Sequence, residues 1–180
     1  MPRGDAITVL CMEDITALIL DDHEWFRRQF ASLDDADGGD GLATIWTPLA
    51  TRLDAHAEME EQIFYPALLA KADEDGEETD DAIRDHNKIR DAVAESRKHD
   101  VGSDAWWTAV GQAREENDDH MAEEEREGLA DFRHNATDDL RDKLGKQWLE
   151  LYAQHPGGRG MDSADKDPDD YIEEHRPDGG

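Results

Sequence analysis

The segment Leu53 to Pro66, LDAHAEMEEQIFYP, sets His56 and Glu60 four residues apart within an apolar run. On a helix, residues four apart lie one above the other on the same face. Leu49 and Leu53 before the pair, and Ile63, Phe64 and Ala67 after it, extend the same stripe. An imidazole and a carboxylate aimed into a core need a partner, because a buried unpaired charge is costly. A metal ion is one such partner. The pattern recurs at His120 and Glu124, on a stripe that begins with Trp106, Val110 and Ala113.

The spacing of apolar residues predicts helices throughout and no strands. The first runs from Met12 to Leu33, with Ile15, Leu18, Ile19, Phe26, Phe30 and Leu33 on one face and His23 among them. The second starts at Leu42 or at Pro48 and ends near Ala72. Thr47-Pro48 reads as an N-cap or a kink, and Pro66 as a bend just after the ligand pair. The third spans about Thr79 to His99 and carries Ile83, His86 and Val93. Ser103 caps a long fourth helix from Asp104 to Arg133, with Asn117, His120 and Glu124 on its inward face. A fifth, capped by Asn135 or Thr137, carries Leu140, Leu144 and Trp148. Acidic, glycine-rich loops are expected at Asp34–Gly41 and Asp73–Glu78. The fold class is all-α: an antiparallel up-down-up-down four-helix bundle with an additional C-terminal helix, outside it or across one end. Residues 1–11 read as an N-terminal extension (Met12 is an alternative start), 12–154 as the bundle and 155–180 as a disordered acidic tail.

The chain has 180 residues, with 19 Lys+Arg against 47 Asp+Glu and a formal net charge of -28. Its length fits one domain. Its charge repels phosphates, so neither nucleic acid nor an anionic membrane is an expected partner. Helical periodicity separates it from acidic disordered chains, and it has no calcium-binding D-x-D-x-D-G loop. A surface this acidic fits a halophilic protein, in a cytoplasm whose salt screens carboxylate repulsion. Cys11 stands alone, so no internal disulfide forms and a reducing compartment is expected. No signal peptide or membrane span is apparent, which reads as cytoplasmic.

In an antiparallel bundle, residues equally far from a shared loop lie at one height. His23 and His56 each sit about 15 residues from the middle of the first loop, hence level at about 1.5 Å per residue. His86 and His120 differ by roughly 6 Å about theirs. Histidines and glutamates are plentiful enough here for one pair to arise by chance. Four histidines on four apolar stripes at compatible heights are harder to dismiss. His23, His56, His86 and His120 with Glu60 and Glu124 therefore converge at mid-bundle. Such a set suits iron, zinc or manganese, and two bridging carboxylates among four imidazoles favour two ions over one. Glu58 is expected at the surface, Glu61 facing solvent or behind the ligands, and Tyr65 in packing.

The pattern resembles the hemerythrin-like (HHE cation-binding) family over about residues 12–133. Four segments carry it: DDH ending at His23, HAEMEEQIFYP from His56, DHNKIRD around His86 and HMAEEE from His120. The resemblance implies a four-helix bundle with a non-haem di-iron centre, oxo- or hydroxo-bridged. His23, His56, His86 and His120 would be terminal ligands, and Glu60 and Glu124 bridges. Oxygen-carrying hemerythrins have a further histidine where Arg90 stands, and a carboxylate that makes Glu125 a rival to Glu124. The sequence is closer to the broader branch in which four histidines and two glutamates serve. Binding or sensing of O2 or NO, or iron buffering, is the expected role. The alternatives are a di-iron enzyme or iron donor acting in oxidative or nitrosative stress, and a metal-free structural bundle.

Overall fold

The computed structural model describes residues 13–71 and 76–176, so the N-terminal extension, Cys11, Met12 and the first half of the Asp73–Glu78 loop lie outside them. The described residues are helical, with no strand: α1 (Ile15–Asp34), α2 (Gly38–Met59), a π-turn (Glu60–Phe64), α3 (Tyr65–Leu69), α4 (Glu77–Ser96), α5 (Asp104–Arg126), α6 (Gly128–Asn135), α7 (Asp138–Gln154), a 3-10 turn (Pro156–Gly158) and α8 (Pro168–His175).

Four of these form the bundle, and their contacts fix its directions. Phe30 packs near Trp46, while Asp22 reaches His56, so α1 and α2 run oppositely. Lys88 lies opposite Glu116 and His86 opposite His120, giving the same result for α4 and α5. Trp46 Nε1 donates to Ser96 Oγ at 3.0 Å and ties α2 to α4. The expected antiparallel bundle is what forms.

Along α1, α2 and α4 the histidine of the site falls between two apolar groups, and on α5 the second group is supplied by α6 just beyond it. On α1, Ile15 and Ile19 belong to one core, and Phe26, Phe30 and Leu33 to the other, with His23 between. On α4, Ala82 and Ile83 precede His86, and Ile89 and Val93 follow it. Two apolar layers thus close the site from above and below, and hydrophobic burial holds the polar layer in place.

Several boundaries differ from expectation. α2 begins at Gly38, so the Asp34–Gly41 loop is shorter, and Pro48 lies inside the helix. Proline removes only one N–H here, and burial of Leu42, Trp46, Leu49 and Ala50 on either side carries the helix through it. The long fourth helix divides at Glu127, whose φ and ψ of -111° and -82° are not helical. The break lets α6 turn Leu129 and Phe132 inward, and Phe132 meets Phe64 edge-on at 5.3 Å. Thr137 caps α7, which passes directly over the start of α1. A Cβ at Gly145 would stand 1.4 Å from the Glu13 carbonyl oxygen, so no larger residue fits there.

The expectation of a disordered tail from 155 to 180 is corrected for residues 155–176. Gly158 is buried against α2, Asp167 caps α8, and Tyr171 is only 5% exposed. One buried aromatic, with hydrogen bonds back to the bundle, orders a segment whose composition alone reads as a tail. Residues 177–180 lie outside the described set.

Candidate metal centre

His56 and Glu60 emerge from the end of α2 on one face, as their spacing requires, with His56 Nε2 2.9 Å from Glu60 Oε1. Glu60 is fully buried. Its other oxygen lies 3.1 Å from His86 Nε2 and 3.9 Å from His120 Nε2. His86 and His120 bring their Nε2 atoms within 3.2 Å of each other. From α1, His23 Nε2 stands 3.3 Å from Glu124 Oε2. Two trios result, His23–His56–Glu60 and Glu60–His86–His120, with the ligand atoms of each within 4.8 Å of one another. His23, His56, Glu60, His86 and His120 fall in these trios, Glu60 in both, and Glu124 lies outside them against His23.

The π-turn places the next groups. Tyr65 N–H bonds to the Glu60 carbonyl, five residues back, and π-turns of this kind concentrate at functional sites. The widened turn brings Tyr65 Oη under the cluster, where it donates to Glu124 Oε1 at 3.1 Å and lies 3.5 Å from His86 Nε2. Burial, then the charges of Glu124 and Glu60, push the phenol well above its usual pKa, so it stays protonated as a donor.

Behind the cluster stand three carboxylates, of which the sequence offered only Glu61 for such a place, as an alternative to solvent. His23 Nδ1 donates to Glu125 at 2.9 Å, His56 Nδ1 to Asp22 at 3.1 Å and His86 Nδ1 to Glu61 at 2.7 Å. Each carboxylate also binds an arginine: Arg27 on Glu125, Arg52 on Asp22 and Arg90 on Glu61. In all three clamps the histidine and arginine lie four apart on one helix and grip a carboxylate from another segment. That i, i+4 spacing of Arg to His is the signal that would have revealed them. Arg90, which stands where oxygen carriers have a fifth histidine, is the arginine of the third clamp. Glu58, expected at the surface, is buried with its carboxylate 2.6 Å from Gln62 Nε2 and from Lys166 Nζ.

The clamps decide tautomers. Burial opposes charge on Glu61, but His86 and Arg90 outweigh it and hold the carboxyl at about 2. The bond from His23, then Arg27, holds Glu125 at about 2 as well. Asp22 is likewise held below its usual value against burial, by His56 and Arg52. An ionised carboxylate only accepts, so each Nδ1 carries the hydrogen and each Nε2 faces inward as the free nitrogen for a cation. Inside, His23 Nε2, His56 Nε2, both Glu60 oxygens and Glu124 Oε2 are buried without a hydrogen-bond partner among the described residues. Without a metal, a proton must stand in: burial works against it, yet Glu60 and Asp22 push His56 up to about 10. Glu60 is driven well below its usual range, against burial, by His56, His120 and His86. The donor set fits divalent transition-metal ions.

Residues 14–130, well over half of the chain, match the model of the hemerythrin HHE cation binding domain. The chain belongs to this family. No curated protein and no solved structure matches it significantly. The HHE domain therefore covers the bundle and the whole cluster, and it is a cation-binding helical domain. Residues 131–176, including α7 and α8, lie beyond the matched segment. No described helix of this HHE protein is long and apolar enough to cross a membrane.

Proposed function

We propose that this protein holds a non-haem di-iron centre that binds or senses O2 or NO, or buffers iron. The proposed ligands are His23, His56, His86 and His120, with Glu60 and Glu124 as bridges. One observation carries the reading: Glu60 offers one oxygen to each of two separate histidine groups, which suits a bridge between two ions. The charge balance supports it. The clamps on His23 and His56 each pair one carboxylate with one arginine, and that on His86 sets Glu61 and Glu58 against Arg90 and Lys166, so each is neutral once its histidine is neutral and Glu60 and Glu124 alone face the metals. That leaves positive charge for a small exogenous ligand. When bound, iron would supply a Lewis-acidic, redox-active site for such a ligand.

A cavity of about 40 Å³ lies beside Tyr65, Leu68, His120, Glu124 and Gly128, enough for a water or a diatomic molecule. Carboxylates of Asp81, Asp85 and Glu123 at its walls favour neutral or cationic visitors over anions. Glu125, the rival to Glu124, is better read as the clamp on His23, because it meets the outer nitrogen of that ring. A second reading, turnover of peroxide or NO, draws on Tyr65, whose protonated phenol borders the same cavity and would turn its one hydrogen from Glu124 to a bound molecule. We place the protein in a salt-rich, reducing cytoplasm, consistent with its acidic surface.

The test is iron content and the visible spectrum of protein prepared in molar salt, before and after air. Two irons per chain with charge-transfer bands of a bridged ferric pair are expected. A single zinc, or no uptake on reconstitution with iron, would overturn the reading. A diatomic ligand released unchanged favours binding, and consumption of a reductant favours turnover.

A further inference from the structure

We infer that Lys166 is a positioning residue of the metal centre, delivered by a C-terminal segment outside the family-matched residues. The inference rests on the metal-site reading above. Lys166 Nζ bridges Glu58 Oε2, at 2.6 Å, and Glu61 Oε2. Glu61 is 1% exposed and accepts from His86 Nδ1 with its other oxygen. A continuous chain of contacts therefore runs from Lys166 through Glu61 to His86, whose Nε2 faces the cluster.

The segment is anchored on both sides of the lysine. Upstream, Gly158 adopts φ +80° against α2, where a Cβ would stand 2.5 Å from Ala55 Cβ. Asn87, next to His86, brackets the Lys166 backbone, its Nδ2 donating to the carbonyl at 2.8 Å and its Oδ1 accepting from the N–H at 3.1 Å. Downstream, Tyr171 Oη donates to the backbone carbonyl of Glu61 itself. Two residues of the segment thus hold Glu61 by its side chain and its main chain. These contacts fix where a half-buried ammonium stands relative to a buried carboxylate.

Charge counting says what the lysine adds. The other two clamps contain one carboxylate and one arginine each. Here Glu58 and Glu61 both surround Arg90, with Arg90 Nη2 2.9 Å from Glu61 and 3.7 Å from Glu58. Arg90 alone leaves one negative charge in excess, and Lys166 cancels it. Without Lys166 that charge acts on His86 through the Nδ1 hydrogen bond, making the imidazole a stronger donor to a metal. A more negative surround favours the more highly charged, oxidised metal. Lys166 therefore holds the potential of the centre up.

The test compares Lys166→Met with Lys166→Arg in the full chain, by two readouts. In metal-free protein labelled with 15N-histidine, the His86 Nδ1–H resonance is expected to move downfield in Lys166→Met and stay near wild type in Lys166→Arg. In the iron-loaded protein, the midpoint potential is expected to shift downward in Lys166→Met and to be restored by arginine. A lower melting temperature with neither readout displaced would reveal a merely structural lysine and overturn the inference. So would equal displacement in both variants. If wild-type protein takes up no iron, the di-iron reading fails by itself, and the resonance of His86 alone decides the role of Lys166.

Discussion

The H-x-x-x-E-E pattern occurs twice, at His56–Glu61 and His120–Glu125, and the two copies are built alike and insulated differently. In each, the first glutamate faces the cluster and the second grips the outer nitrogen of a histidine on another helix. Glu60 is fully buried and contacts histidines of both trios, whereas Glu124 contacts His23 and takes a hydrogen bond from Tyr65. Glu61 is enclosed by His86, Arg90 and Lys166. Glu125 is 29% exposed in its side chain, and its arginine, Arg27, is 41% exposed. The difference lies in what covers each copy. The C-terminal segment lies over the first, while the second borders the cavity and solvent. One motif thus supplies a fixed half and an accessible half.

The largest effect that tests this contrast is on metal content. Glu60→Ala is expected to empty both halves, and Glu124→Ala to leave about one ion per chain, read by elemental analysis. Equal loss in both variants would break the comparison. In the metal-free protein Glu60→Ala also leaves buried imidazoles uncompensated, at a cost of about 3–5 kcal/mol by urea unfolding.

Next in size are the outer carboxylates. Glu61→Gln is expected to weaken metal affinity about 10–100-fold in chelator competition, and Glu125→Gln by less than about tenfold. A larger loss at Glu125 would reverse which half is the fixed one.

Acid sharpens the same contrast. Both carboxyls fall from a usual 4.5 to about 2 on folding, so each stabilises the metal-free protein above pH 4.5 and that contribution disappears as pH falls through about 2. Glu61→Gln should flatten the loss between those values more than Glu125→Gln, because solvent screens the exposed pair. His56, raised from 6.5 to about 10, has the opposite sign: its contribution is whole below pH 6.5 and lost as pH rises through about 10. Urea midpoints across pH measure both limbs.

The smallest effect concerns salt. Arg27→Met is expected to cost no more than about 1 kcal/mol in dilute buffer and nothing measurable in molar salt. Arg90→Met should keep its cost in both, which thermal melts would show.

The sequence made the inner layer of the centre readable because helical period and loop distance are both one-dimensional quantities. His23, His56, His86 and His120 could be levelled by counting, and Glu60 and Glu124 follow from i, i+4 geometry. The outer layer was not readable that way. Asp22 and Glu61 each sit beside a site residue in sequence, yet what they bind lies on another helix, and counting along one helix does not reveal it. Glu58 read as surface because the cations that bury it, Arg90 and Lys166, come from α4 and from a segment with no periodicity. The ordered tail escaped for a related reason: its order depends on Tyr171 meeting Glu61, and Lys166 meeting Asn87, across the fold, not on any local pattern. Pro48 shows tertiary burial overriding local punctuation, and Glu127 shows a break where the helical pattern ran on.

The π-turn at Glu60–Phe64 is, in effect, a spare residue kept in the reading frame of α2 and α3. Remove one position within it, Gln62 for example, and the backbone can close as ordinary α-helix with its hydrogen bonds intact. Because the widened turn absorbs that residue, the helix on either side would keep its phase, and Leu68 would stay in the core it shares with Phe132 and Leu129. What would shift is the handful of side chains inside the turn, among them Glu61, which clamps His86. A deletion here would therefore be gentle on the bundle and felt in the outer layer of the centre.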